Sequence, residues 1–475
     1  MRIFLFLPLI FFLSACASLN VGDTRPTIGD SVLAEGYRLI DDYYLEPVPF
    51  DIIGHEGLRR VLAIDPALDV REMDEWWHVT CVEREIARFR PPGDDPDRWA
   101  DLIGRIVTAT HAVSKPLRDA SSETVLTAAL NGVTDRLDAY TRYEPAENAR
   151  FLTARREGFA GVGIEIDRNG PPFVIDHILT KSPASMADIR IGDRLIGIDD
   201  TPIDKLDPVL IQNRLRGPEG TNVQLMLIRE NTSLFTVDLV RAQIMPETVR
   251  TRVMDGILWL SVTHFNIATA SHLKQALKDH PKPVGIALDL RGNPGGILNE
   301  AVAVADLFLN AGLVMTAHGR HKNSHQIHKS GRGTTAGGRP VVVVIDDATA
   351  SAAEVLAAAL RDRGRALLVG VASRGKGDIQ NVKPLSGNGD LYLTWARIHT
   401  PGGETFTGTG LVPDVCLLPG RNAADIMTLR KIARQAETLG IQKLVDPCRY
   451  ENPHPQVVKE IIRLLMEETV MSDEQ

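Results

Sequence analysis

The 475-residue sequence has little of several features that would fix its class at once. It contains only four cysteines, which are too few to build a disulfide scaffold. It has no excess of basic residues: 53 Lys and Arg stand against 61 Asp and Glu, so the formal charge is −8 and the electrostatic footprint of a nucleic-acid-binding protein is missing. No apolar run reaches the roughly 20 residues that a membrane-spanning helix needs. What is present, 44% apolar and 24% charged residues, is typical of globular chains, and the length predicts about three domains.

The first twenty residues have the pattern of an export signal. Arg2 precedes a short apolar run, Ile3–Leu13, and small residues follow, which predicts a signal peptide over residues 1–15. The run ends in Leu13-Ser14-Ala15-Cys16, which is similar to the lipobox of bacterial lipoproteins, so Cys16 is the predicted lipidation site. Ordinary cleavage after Ala17 is the alternative. Both predict export to the bacterial cell envelope, and a lipid on Cys16 would hold the protein at the periplasmic face of a membrane.

Four segments of different periodicity follow the leader, and together they predict a multidomain α/β protein. Residues 24–152 are mostly helical in pattern, whereas residues 158–242 alternate over short strands and predict a small β-rich domain. Residues 243–420 alternate wholly apolar strands with amphipathic helices, which indicates an α/β core with a largely parallel sheet. Residues 421–475 read as C-terminal helices that are compatible with capping the core or with a homodimer surface.

One serine stands at a position suited to nucleophilic catalysis. The apolar strand Val341–Ile345 leads through a short turn to Ser351, and a helix over Ala352–Arg361 follows at once. A helix N-terminus presents free amides and the positive end of the helix dipole, which suits a developing oxyanion, with the Ala352 amide as the local donor. The alternative is that Ser351 is an ordinary helix N-cap.

Two further turns follow buried strands in the same core. Asp289–Gly296 is a glycine-rich turn with exposed amides after one strand, and Lys376 lies between glycines after the strand Ala366–Val371. A lysine in such a turn is either solvated or desolvated. A desolvated lysine has a lowered pKa and can act as the general base to a serine.

The motifs occur in an order that resembles the carboxy-terminal processing (tail-specific) serine peptidases. That family has a PDZ domain ahead of an α/β peptidase core of the ClpP/crotonase type. The resemblance covers about residues 125–415 and rests on five matching stretches, which are Arg136–Tyr143, Ser182–Ala184 with Ile191–Ile196, Thr349–Glu354, Gly375–Gln380 and Gly410–Asp414.

The resemblance implies a role for each residue of the catalytic core. Ser351 would be the nucleophile, Lys376 its general base, and Gln380 the residue that orients the lysine. The oxyanion hole would use the amide of Ala352 and that of Gly295 or Gly296. The family needs neither a metal nor another cofactor, so none is expected here.

The resemblance also implies a peptide-binding site in the β-rich domain. A peptide would add as a strand to an exposed sheet edge, and the loop Gly161-Val162-Gly163-Ile164 would capture its terminal carboxylate. An ordinary strand-entry turn is the alternative. Three positions depart from the family pattern: Ala353 and Asp378 stand where serine is common, and Asp188 stands where the PDZ motif has glycine, which bears on peptide preference.

Two other patterns invite different functions. Gly370 to Lys376 resembles a P-loop, but Gly377 stands where a Ser or Thr hydroxyl should meet Mg²⁺, and no helix pattern follows. Four histidines (His318, His321, His325 and His328) have spacings that would align them on a helix as metal ligands. The glycines and serines around them favour a solvated hairpin or loop, so no metal site is predicted.

The sequence therefore predicts a serine endopeptidase with a Ser-Lys dyad that cleaves exported proteins after recognising their C-terminal tails through a PDZ domain. Its partners would be polypeptides bound by their C-termini and, through Cys16, a membrane. The alternative from a different class is a lipid-anchored PDZ adaptor whose peptidase core is inactive.

Overall fold

The computed structural model describes residues 28–416, except 168–169, 230–233 and 387–388. The leader with Cys16 and the segment 421–475, including its expected homodimer surface, lie outside the described residues. The described chain forms two compact units, one of residues up to 149 with 380–395, the other of residues 150–379 and from 396 onward. No helix in the described ranges has the length and apolar character needed to cross a membrane.

The first unit is mostly helical around one apolar core. Tyr37, Phe50 and Trp99 are among its fully buried side chains. Local signals set the helix starts: Asp95 accepts a hydrogen bond from the Arg98 amide at 3.0 Å, which caps an orphan amide of the helix that follows. The elements are α1 (Ile28–Tyr43), α2 (Phe50–Leu62), β1 (Leu68–Met73), β2 (Trp76–Cys81), β3 (Arg84–Phe89), α3 (Pro96–Thr110), α4 (Lys115–Asp119), α5 (Ser122–Thr134) and β4 (Arg142–Glu144).

This unit also contains an antiparallel sheet, in a region whose sequence pattern predicts helices. The strands β1, β2 and β3 pair in that order. Val70, Val79 and Ala87 are buried on one face, while most other positions of these strands are charged or exposed. The strands are short, and adjacent apolar residues such as Trp76-Trp77 and Ile86-Ala87 break the alternation expected of a half-buried strand, which explains why the region reads as helical.

The second unit begins with a β-rich part that corresponds to the expected PDZ domain. Its main sheet has the order β11-β10-β8-β7-β6, so β6 lies at an edge. One helix of this part covers Pro208–Leu215, and residues 168–169 lie outside the described ranges. The elements are α6 (Ala146–Glu157), β5 (Phe159–Gly161), β6 (Ile164–Ile166), β7 (Phe173–Ile178), α7 (Pro183–Met186), β8 (Arg194–Ile198), β9 (Thr201–Pro202), α8 (Pro208–Leu215), β10 (Asn222–Ile228), β11 (Phe235–Val240) and β12 (Ala242–Ile244).

The rest of the second unit is the α/β core. Its sheet has the order β13-β14-β15-β18-β19-β22, and all its pairs except β13–β14 are parallel. Every residue of β18 is buried, as expected for a strand covered on both faces. The elements are β13 (Val249–Met254), β14 (Ile257–Val262), α9 (Thr269–Asp279), β15 (Gly285–Asp289), α10 (Leu298–Phe308), β16 (Gly312–His318), β17 (Gln326–Ser330), β18 (Val341–Ile345), α11 (Ala352–Asp362), β19 (Leu367–Gly370) and β22 (Val415–Cys416). The strands β20 (Asp378–Pro384) and β21 (Asp390–His399) belong mostly to the first unit, which includes residues 380–395.

Neither the P-loop-like segment nor the four histidines has the local structure that its alternative function would need. A strand, β20, follows Lys376 where a P-loop would open a helix. The four histidines lie in and around the β16–β17 hairpin rather than along one helix, and the Nδ1 atoms of His318 and His325 are 3.3 Å apart. Among the residues described, no group of three or more His, Cys, Asp or Glu side chains is arranged to hold a metal ion.

Candidate active site

The strand β18 and the helix α11 expose Ser351 at a strained turn. Ser351 has φ 57° and ψ −120°, a conformation that residues with a Cβ rarely adopt. A sharp strand-turn-helix connection of this kind lifts a serine hydroxyl above the sheet edge. The strain persists because the turn is held on both sides, by β18 and by the buried first turn of α11.

Glu354 joins the serine turn to the lysine loop. Its side chain is fully buried, and its Oε2 accepts hydrogen bonds from the amides of Ser351, at 2.7 Å, and Lys376, at 2.9 Å. Its Oε1 accepts from the Gly375 amide, at 2.7 Å, and from the Ser373 hydroxyl. Burial raises the pKa of Glu354, and the four hydrogen bonds oppose that rise because they stabilise the ionised form. One carboxylate therefore brings the backbones of Ser351 and Lys376 together.

Close packing holds the lysine loop on its other side. Gly375 has φ 84°, and a Cβ there would lie 2.6 Å from the Gly410 amide nitrogen, so no other residue fits without a shift. The Gly375 carbonyl accepts from the Gly408 amide, and the Gly377 carbonyl from the Ile398 amide, both at 2.8 Å. The loop leaves Lys376 half-buried between these anchors.

The glycine-rich turn after β15 packs directly against the serine turn. The Asn293 carbonyl accepts from the Ala350 amide at 2.9 Å, and the Asp346 carboxylate accepts from the Gly292 amide at 2.9 Å. The Thr349 hydroxyl donates to the Leu290 carbonyl at 2.9 Å. These contacts cross between two strand ends of one parallel sheet, where sites in α/β folds form.

The two glycines of this turn differ in what their amides do. A Cβ on Gly295 would lie 2.8 Å from the Ser351 Cβ and 3.0 Å from the Ala352 nitrogen, so Gly295 is the glycine in contact with the serine turn. Its own amide, however, donates to the Asn293 side-chain oxygen at 2.8 Å. Within the described part of the chain, the amides of Gly296 and Ala352 donate to no other group. Those two amides are therefore the ones available to an oxyanion.

Gln380 belongs to the first compact unit, together with the residues around it on β20 and β21. Its side-chain amide donates to the Thr394 hydroxyl at 3.3 Å, and that hydroxyl donates to the Asp138 carboxylate at 3.1 Å. Gln380 is thus positioned by a polar chain. Its predicted role in orienting Lys376 stays a prediction.

The predicted peptide-binding loop lines a pocket of about 310 Å³ within the second unit. Val162, Gly163 and Ile164 contribute to the lining, while Gly161 does not. Gly163 has φ 83°, and a Cβ there would lie 2.2 Å from the Ser182 Cβ, so this position requires glycine. The carbonyls of Val162 and Gly163 accept hydrogen bonds at 2.9 Å, which fixes the loop through its carbonyl groups.

The unusual Asp188 has a structural explanation. Its carboxylate pairs with Arg229 at 3.1 Å and Arg190 at 3.0 Å, and Arg229 also pairs with the buried Asp193 at 2.8 Å. Hydrogen bonds from the two arginines hold the pKa of Asp188 below its usual range. Asp188 does not line the pocket, so its effect on the domain is to anchor Arg229.

Sequence reasoning assigned no role to Glu354, although a signal was present. A serine at a helix N-terminus with glutamate three residues later is the pattern of a capping box, in which the carboxylate accepts from the serine amide. That contact is present in Ser351 and Glu354. The remaining hydrogen-bond donors to the Glu354 carboxylate come from residues 373–376, and no sequence pattern near Glu354 predicts these contacts.

Comparison with known families agrees with this geometry. The sequence model of peptidase family S41 matches residues 256–417, and that of the PDZ domain matches residues 151–228. The fold and the site thus define a serine peptidase of the α/β type that carries a PDZ domain.

Two curated relatives make the assignment specific. The carboxy-terminal-processing protease of Bartonella bacilliformis is 32% identical over 326 residues, which are 67% of this chain and 74% of that protein. The carboxy-terminal processing protease CtpA of Bacillus subtilis is 30% identical over 292 residues, 60% of this chain and 62% of that protein. Among solved structures, the photosystem II D1 C-terminal processing protease is similar with a TM-score of 0.42 and 22% identity, covering 89% of this chain and all of that one. The chain belongs to peptidase family S41, the carboxy-terminal processing proteases.

Proposed function

We propose that this serine peptidase works through a dyad of Ser351 and Lys376 and cleaves exported proteins that it recognises by their C-terminal tails. The observation that supports the dyad most directly is the shared carboxylate oxygen of Glu354, which accepts from the amides of both residues. No other pair of a turn serine and a loop lysine is held in this way in the described residues.

The proposed reaction is an acyl transfer to serine. The neutral Nζ of Lys376 takes the proton from the Ser351 hydroxyl as its Oγ attacks the scissile carbonyl carbon. The amides of Ala352 and Gly296 donate to the oxyanion, and the lysine returns its proton to the leaving amine. Water then hydrolyses the acyl-enzyme by the same proton transfers in reverse.

The PDZ domain would deliver the tail. The strand β6 is at a sheet edge, where an extended peptide can continue the sheet by main-chain hydrogen bonds. The loop over residues 161–164 ends at this strand, and all of its residues except Gly161 line the pocket. A terminal carboxylate would therefore lie at the loop, and the preceding residues of the tail would lie along β6.

Export and anchoring rest on the sequence of the leader. A lipid on Cys16 would place the peptidase at the periplasmic face of the bacterial envelope, near exported substrates. Metabolic labelling with a radioactive fatty acid tests this, with Cys16→Ser as the matched variant. Equal labelling of both proteins would refute the anchor.

Cleavage of an unfolded protein substrate tests the dyad. Ser351→Ala and Lys376→Ala should each lose cleavage, while Ser271→Ala and Lys274→Ala, which change exposed residues of α9, should retain it. Cleavage by Lys376→Ala at the wild-type rate would refute the dyad while leaving a serine peptidase. The alternative of an inactive adaptor predicts tail binding but no cleavage by any of the five proteins.

A further inference from the structure

The peptide pocket is lined by charged side chains of both signs. Arg155 and Arg216 are its two arginines, and Glu165 is its one acidic residue. Glu165 is exposed, and it forms no ion pair with any described residue. His264 also lines the pocket, but burial and the nearby Arg155 lower its pKa, so it adds no charge at neutral pH.

The strand β6 sets which tail residue would face Glu165. Ile164 and Ile166 are buried in the core of the domain, so Glu165 points to the opposite face. A tail whose carboxylate lies at the loop before Ile164 places its last residue opposite Ile164. Its penultimate residue then lies opposite Glu165, because residues of antiparallel strands pair one to one.

The signs of the charges separate two parts of the ligand. The arginines complement the terminal carboxylate, whereas Glu165 would repel it and gains nothing from an apolar last residue. An acidic side chain at this position favours a cation directly across the strand pair.

We propose that Glu165 makes this PDZ domain selective for tails with Lys or Arg as the penultimate residue and an apolar last residue. The selectivity rests on the proposed tail recognition and names the class of tail that it favours. The Ile164 side of the peptide would meet the apolar wall that Leu179 and Leu215 provide.

The expected effect is modest because Glu165 is exposed. Oppositely charged cross-strand pairs strengthen association by about two- to fivefold in Kd. Added salt reduces the effect, since exposed charges are screened.

The experiment measures fluorescence anisotropy with the full mature chain carrying Ser351→Ala, so that no peptide is cleaved. Three labelled decapeptides end in leucine and differ only at the penultimate residue, which is lysine, glutamine or glutamate. The further variants are Glu165→Gln, Glu165→Lys and, as the matched control, Glu219→Gln, which changes an exposed glutamate away from the pocket.

The lysine peptide should bind tightest and the glutamate peptide weakest to the unmodified pocket and to Glu219→Gln. Glu165→Gln should remove the difference, and Glu165→Lys should reverse the order. Equal binding of the three peptides, or an order that Glu165→Lys leaves unchanged, overturns the charge selectivity but leaves tail recognition standing. If none of the peptides binds, tail recognition itself is refuted and the selectivity with it.

Discussion

Glu354 offers the sharpest test of the site, because its carboxylate joins the two turns that carry the proposed dyad. Glu354→Ala leaves the amides of Ser351, Gly375 and Lys376 without their acceptor. Glu354→Gln should disrupt fewer of these hydrogen bonds. Its amide oxygen can keep the bonds to Ser351 and Lys376 if its NH₂ group faces Ser373, whose hydroxyl can turn to accept.

The cost of each change follows from the number of donors left unpaired. Glu354→Gln leaves one buried amide, that of Gly375, which costs about 1–3 kcal/mol. Glu354→Ala leaves three, so we expect a loss of about 3–9 kcal/mol in the free energy of unfolding, the range of broken buried networks. A misplacement of about 1 Å in a reacting group costs on the order of 100-fold in rate, so Glu354→Ala should lose at least that factor in kcat and Glu354→Gln less than about tenfold.

Two assays separate stability from activity. The thermal midpoint of the second unit should fall by about 2–8 °C in Glu354→Gln and by more in Glu354→Ala. Peptidase activity is measured well below the lower midpoint, on samples shown by circular dichroism to be folded. Glu35→Gln, which weakens a single backbone hydrogen bond to Ser386 in the first unit, is the matched control and should keep the wild-type kcat.

Equal losses of kcat in the two Glu354 variants would contradict this explanation. They would mean that the negative charge matters and the hydrogen-bond geometry does not. A folded Glu354→Ala protein with wild-type kcat would show that the turns hold their positions without the carboxylate.

Three other predictions test different parts of the chain. Ser351→Gly should be inactive but more stable than Ser351→Ala by about 1–3 kcal/mol, because glycine adopts the strained backbone freely. Thermal-shift measurements compare the two variants, and equal midpoints would argue against the strain. Burial lowers the pKa of His55 to about 4. The stability that the neutral His55 side chain contributes should therefore be complete above about pH 6.5 and decline toward pH 4. His55→Phe should weaken this trend, as measured by melting of the first unit at different pH values. Gly163→Ala should abolish peptide binding. The control Gly220→Ala changes a glycine with a similar positive φ but open space around it, so it should lower stability without loss of binding. Calorimetry measures binding by both variants, and tight binding by Gly163→Ala would show that the loop tolerates a shift.

The sequence predicted an α/β core built on apolar strands, and the structure contains those strands together with others, such as β13, β16 and β17, that were not predicted. The strands β14, β15 and β18 are continuous apolar runs, and burial on both faces dictates that composition. The strands β1–β3 were missed because they are short and adjacent apolar residues such as Trp76-Trp77 and Ile86-Ala87 break the alternation expected of a half-buried strand.

The candidate site, too, was only partly predictable from the sequence. Ser351 and Lys376 were predicted from their places after apolar strands and between glycines, with the family resemblance naming their roles. The choice between the two glycines was open, and the proposal of Gly296 rests on the Asn293 side chain, which accepts a hydrogen bond from the Gly295 amide. A side-chain contact of that kind has no signature in the residue types.

Turns and buried strands could therefore be predicted from the sequence, because backbone geometry and burial restrict which residues each of them accepts. The contact of Glu354 with the Lys376 loop and the strain at Ser351 were not readable, although they position the proposed catalytic groups. The Glu354 contact joins segments distant in sequence, and the strain at Ser351 persists because β18 and the first turn of α11 are both buried. The free energy that holds them comes from tertiary packing, which leaves no periodic pattern in either segment.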